Sequence, residues 1–118
     1  MKPPKIAAAY ACLYPVLARI ARRCSYALTI HGSMDRDFDL IAVPWTNEAT
    51  TPEALVNAVV EELGAILAVP DRDPVEHPHG RLVWTIALEG GVGLDFGVMP
   101  LRSERIKPYP EANFKPVI

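Results

Sequence analysis

The chain has 118 residues, half of them hydrophobic, with 12 Lys and Arg against 14 Asp and Glu. That length fits one domain with a real core, burying roughly two-thirds of its unfolded surface. A net charge of −2, with both signs mixed along the chain, excludes the basic stripe of a DNA-binding or membrane-surface protein. No apolar run approaches the ~20 residues of a transmembrane helix, and Lys2 and Lys5 lead into no cleavable signal segment. A soluble, cytoplasmic protein is expected.

Ile6 to Arg23 has helical periodicity, with Ile6, Tyr10, Leu13, Leu17, Ile20 and Ala21 close to one face. Pro15 either kinks this helix or opens a second one at Tyr14. Arg19, Arg22 and Arg23 complement the negative helix end. Cys12 and Cys24 fall roughly 18 Å apart along such a helix, beyond disulfide reach. They are expected to be reduced, largely buried thiols.

Tyr26 to His31 alternates as a strand, and Phe38 to Trp45 is the more uniformly apolar run of a central strand. Thr50 and Glu53 have capping-box spacing around Pro52, and the helix they open is expected to reach about Leu67, burying Leu55, Val59, Leu63 and Ile66. Residues 70–80 form a polar, proline-punctuated connection. Arg81 to Leu88 and Val92 to Met99 flank Glu89, Gly90 and Gly91, a hairpin signal. Trp45 and Trp84 are expected in the core or at its edge. The proline-rich tail from 101 to 118 carries Tyr109, Phe114, Val117 and Ile118, so it is expected to pack on the domain or on a partner, including a second copy. The predicted order is α-β-β-α-β-β over residues 1–100: an α+β fold with a mixed or antiparallel sheet of about four strands and helices on one face.

The chemistry concentrates between the first two strands. Side chains two apart on a strand share a face, roughly 6.5–7 Å apart, so Asp37 and Asp39 project together, opposite Phe38 and Leu40. Asp95 lies on the polar side of its own strand between Gly93 and Gly97. If these strands are neighbours, three carboxylates converge. Such a group is costly unless a cation neutralises it or one member takes a proton. Hard oxygen donors suit Mg²⁺ shared with substrate phosphate. Aspartates also favour turns by bonding nearby backbone; Gly32, Ser33 and an inward Asp95 raise the chemical reading above that one.

The run His31, Gly32, Ser33, then Asp37, Phe38, Asp39, Leu40 resembles the signature of the polymerase-β-type nucleotidyltransferases, in particular the minimal ones. The resemblance covers about 75 residues, Thr29 to Met99. It implies a nucleotidyltransferase-like fold and Mg²⁺-dependent transfer of a nucleotidyl group from a nucleoside triphosphate to a hydroxyl acceptor. By that resemblance Asp37 and Asp39 are metal ligands, Asp95 is the third carboxylate, a metal ligand or the base that helps activate the acceptor hydroxyl, and Gly32, Ser33 and Arg36 contact the nucleotide. In the family a longer linker separates the Gly-Ser pair from the aspartates; here only Met34, Asp35 and Arg36 intervene. The segment from His31 to Trp45 also looks like one shared by small bacteriophage or prophage proteins. The alternative expectation is therefore a catalytically inactive phage accessory or interaction protein that keeps the fold.

Overall fold

The computed structural model describes residues 7–32, 37–67, 73–88 and 93–101. Helix α1 (Ala7–Arg23) leads into strands β1 (Tyr26–His31) and β2 (Asp37–Pro44). Helix α2 (Pro52–Leu63) follows, then two short strands, β3 (Ile66–Leu67) and β4 (Val75–Glu76), a 3₁₀ turn (Pro78–Gly80), and strands β5 (Leu82–Ala87) and β6 (Gly93–Val98). The fold is α+β, as expected, with six strands rather than four. The four expected strands lie within a residue of their predicted ends. The two additions are two-residue strands that share the outer edge of β5, β3 pairing with Ile86 and Ala87 and β4 with Leu82 and Val83.

The sheet order is β1-β2-β6-β5-β3, with β4 beside β5. All pairs are antiparallel except β2 with β6, which run parallel. The connection that makes them parallel carries α2 and the hairpin's first strand. Register aligns the apolar positions of four strands on one face: Leu28 beside Ala42, Leu40 beside Phe96, and Phe96 beside Trp84. Both helices deliver their buried residues to that face, Tyr10, Leu17 and Ile20 from α1 and Leu55, Val56 and Val59 from α2. Tyr10 stacks on Phe38 with ring centroids 4.9 Å apart and planes 14° off parallel, a pairing worth about 0.5–1.5 kcal/mol beyond burial.

Helix α1 continues through Pro15 as one element. Proline removes the hydrogen bond to the carbonyl of residue 11, and both Pro15 and Ala11 are exposed, so water can satisfy that group. Helix α2 starts one residue later than the capping-box reading, with Thr51 as N-cap and its Oγ1 accepting from Ala54 N at 3.2 Å. It also ends four residues early. Gly64 adopts the left-handed conformation (φ 62°) and its N–H bonds Val60 O, closing the helix. Ile66 therefore falls in β3, 72% exposed, instead of on the buried helix face.

Two smaller expectations change. Cys12 is exposed and Cys24 half-buried, because Cys12 faces away from the sheet and Cys24 lies past the helix end. Trp84 is buried, whereas Trp45 follows β2 and is 65% exposed. The tail beyond Leu101 and the hairpin turn at residues 89–91 lie outside the described residues. No helix among the described residues is long and apolar enough to cross a membrane.

Candidate functional site

The sheet face away from the helices carries the polar positions, and register sets them in rows. One row runs across four strands: His31 beside Asp39, Asp39 beside Asp95, Asp95 beside Thr85. The next row places Asp37 beside Gly93 and Gly93 beside Ala87. Asp37, Asp39 and Asp95 thus share one face, as the strand alternation predicts, at the end where the parallel strands β2 and β6 both begin. Asp37 is exposed, and Asp39 and Asp95 are half-buried.

Glycines make room for the carboxylates. Gly32 has φ +85°, and a Cβ there would overlap the Asp39 carboxylate. Only glycine meets both constraints cheaply. A Cβ at Gly93 would come within 2.9 Å of Asp37 Oδ1. Gly32 is therefore placed against Asp39. Ser33 and Arg36, the other residues assigned to nucleotide binding, lie outside the described residues.

The electrostatics stem from the row. Burial, chiefly, pushes the Asp95 carboxyl above its ordinary range. The hydrogen bond that its protonated form donates to the neighbouring Asp39 carboxylate, and that group's negative charge, push it further. Thr85 Oγ1, which donates to Asp95 Oδ1 at 3.3 Å, and the nearby His31 pull in the opposite direction. The three acids also act on Tyr10, whose phenol is raised mainly by burial, against a lowering hydrogen bond with the Gly93 backbone, and further by the charges of Asp37, Asp39 and Asp95.

Thr85 is the site residue that the sequence pattern does not single out. A signal exists: a hairpin centred on Gly90 sets position 85 opposite position 95. His31 is exposed at the edge of the row.

Among the described residues, no three His, Cys, Asp or Glu side chains converge closely enough to form a ready-made metal shell. Asp39 and Asp95 are cross-strand neighbours and Asp37 stands one row along. Mg²⁺ is usually held by one or two carboxylates together with water and substrate phosphate, so the carboxylate donors of this face fit that ion. The same arrangement suits no soft metal, which would call for thiolate or imidazole ligands. Comparison with protein-family models and with curated protein sequences finds no match for this chain.

Proposed function

We propose that this chain is a small nucleotidyltransferase-like protein that binds Mg²⁺ and a nucleoside triphosphate on the open face of its sheet. The observation that carries the reading is the pairing of Asp39 with Asp95 across parallel strands, with Asp37 on the same face and Gly32 cleared for the Asp39 carboxylate. Asp37 and Asp39 would hold the metal, and Asp95 would complete the acidic group. Bound there, Mg²⁺ supplies charge neutralisation of the triphosphate and of the leaving pyrophosphate.

The chain's own residues have distinct tasks in this reading. Asp95, with its raised proton affinity, is the carboxylate suited to accept the proton of the acceptor hydroxyl as that oxygen bonds to the α-phosphorus and pyrophosphate departs. A base whose pKa rises toward the working pH is the more effective one. Thr85 holds Asp95 Oδ1 in place. Gly32, on the same side, would offer its backbone to a phosphate in this reading, and Ser33 and Arg36 come after it in sequence.

The test is calorimetric titration of Mg²⁺ with each nucleoside triphosphate into the full chain and into Asp39→Ala. The proposal expects saturable binding that the substitution removes while the fold survives. Binding that is unchanged in Asp39→Ala overturns it. One sequence feature favours a second reading, an interaction protein without catalysis: only three residues separate Ser33 from Asp37, too few for a helix whose N-terminus could cradle a triphosphate. That reading expects no saturable nucleotide binding and unaltered behaviour when the aspartates are replaced.

A further inference from the structure

A guanidinium lies on the open face one step beyond the acids. Gly97 follows Asp95 by two residues on β6 and shares its face, with Ile41 of β2 beside it on one side and Val83 of β5 on the other. Gly97 is buried, and the Arg81 side chain runs across it. A Cβ at position 97 would come within 2.9 Å of Arg81 Nη1 and 3.3 Å of Arg81 Cδ. Three glycines thus clear three charged side chains: Gly32 for Asp39, Gly93 for Asp37 and Gly97 for Arg81.

Arg81 immediately precedes β5, where Leu82 pairs with Val98. Its stem therefore starts level with Met99 and runs back over Gly97, in the direction of Asp95. His77 holds it at both ends. The His77 N–H donates to Arg81 O at 2.7 Å, and Arg81 Nη2 donates to His77 Nδ1 at 3.4 Å. Ile41 and Val83, both half-buried, flank the same row.

Arg81 is itself half-buried, and no carboxylate among the described residues lies within ion-pair distance of it. Withdrawing a charge from water is costly unless an opposite charge meets it. The guanidinium keeps its Nε and Nη1 donors for such a partner. Two residues advance roughly 6.5–7 Å along a strand, so the cation stands about one such step from the carboxylates. A single phosphate bound through a metal at the acids leaves that step empty; a linked chain of phosphates spans it. The guanidinium fork matches two phosphate oxygens, and its fixed position reduces the ordering cost of binding.

We propose, building on the nucleotide reading above, that Arg81 binds the β- and γ-phosphates of a nucleoside triphosphate, the part that departs as pyrophosphate. His77 is its positioning residue. The acids and their metal hold the reacting end of the substrate, and Arg81 makes the site prefer a triphosphate to a monophosphate.

Calorimetric titration of the full chain with Mg²⁺ and a nucleoside triphosphate, and then with Mg²⁺ and the matching monophosphate, tests this. In Arg81→Gln the triphosphate affinity should fall by about tenfold or more, as loss of a charge-assisted bidentate contact implies, while the monophosphate affinity stays within about twofold. Arg81→Lys keeps the charge and the stem over Gly97, which protects the fold. It should still lose part of the preference, because an ammonium is a point donor without the fork. In the isotopically labelled wild-type chain, the Arg81 Nε–H resonance should shift with the triphosphate and stay in place with the monophosphate. Equal losses for both nucleotides in Arg81→Gln would mean that Arg81 acts through the general field of the face, and would overturn the proposal. So would a triphosphate affinity unchanged in Arg81→Gln yet abolished in Asp39→Ala, a result that leaves the nucleotide reading standing. No saturable triphosphate binding to wild type would overturn that reading and this proposal together.

Discussion

Replacing Gly32 by alanine tests how tightly the fold and the acidic face are joined. The backbone there has φ +85°, a conformation that costs an L-residue roughly 1–2 kcal/mol. The new Cβ would also meet Asp39. Turning the carboxylate alone does not relieve the overlap, because Asp39 Cγ and Cβ would lie only 3.1 and 3.2 Å away. The whole side chain has to leave its rotamer, at about 0.5–1.5 kcal/mol. Gly32→Ala should therefore destabilise the protein by roughly 1.5–3.5 kcal/mol, small enough against a typical ~5–15 kcal/mol for the fold to survive. Urea denaturation followed by the fluorescence of the buried Trp84 measures it. In an Asp39→Ala background the carboxylate is gone and only Cβ stays at 3.2 Å, so the cost should fall toward the backbone part of about 1–2 kcal/mol, and the cycle should report a coupling of up to about 0.5–1.5 kcal/mol. Equal costs in the two backgrounds would refute the contact between Gly32 and Asp39 on which the site reading depends.

Other substitutions probe the remaining links. Burial and Asp39 raise the Asp95 carboxyl in the folded state, so the fold favours the protonated acid. Its favourable contribution is complete below the unfolded-state value of about 3.9 and is lost as pH rises through the folded-state value. Asp95→Asn should accordingly be more stable than wild type at neutral pH, with the difference shrinking toward pH 3, and parallel pH profiles of denaturation would contradict this. Tyr14→Phe removes the hydroxyl that donates to Leu28 O at 2.6 Å; a loss of about 0.5–1.5 kcal/mol and faster exchange in β1 are expected from denaturation and hydrogen exchange. Thr51→Ala removes the α2 N-cap and should cost about 1 kcal/mol in the same denaturation assay.

Tyr14 also explains how β1 survives as an edge strand. It is the outermost strand of the sheet, and an uncovered edge invites pairing with another chain. Helix α1 places the Tyr14 hydroxyl on the Leu28 carbonyl, so part of that edge is already satisfied. The helix thus serves the core with one face and the sheet edge with another side chain.

The strands are legible in the sequence because their alternation is strong. Phe38, Leu40 and Ala42 against Asp37, Asp39 and Ile41 leave only one way to face a core. The placement of all three acids on one face comes from that alternation once β2 and β6 are taken as neighbours. Their pairing is an inference about topology, since nothing local distinguishes a parallel partner from an antiparallel one. The end of α2 is hidden because Ile66 continues the apolar period, while Gly64 stops the helix by a backbone preference that periodicity does not register. The β3 and β4 strands escape because two-residue strands have no pattern of their own; they exist through pairing with β5. Trp45 reads as core by its apolar character, yet Pro44 before it ends the strand and turns it outward. Thr85 does not stand out because a threonine in a strand is ordinary, and its role emerges only with the register to Asp95.

The central claim is that a hard divalent cation binds among Asp37, Asp39 and Asp95. Titration of Mn²⁺, as a paramagnetic stand-in for Mg²⁺, into the isotopically labelled full chain would locate it residue by residue. Selective broadening of the Gly32, Asp39, Gly93 and Asp95 amides, reversed by excess Mg²⁺ and absent in Asp37→Asn/Asp39→Asn, is the predicted result. Broadening centred elsewhere, such as on Glu61 and Glu62 of α2, or broadening that persists in the double variant, would contradict it.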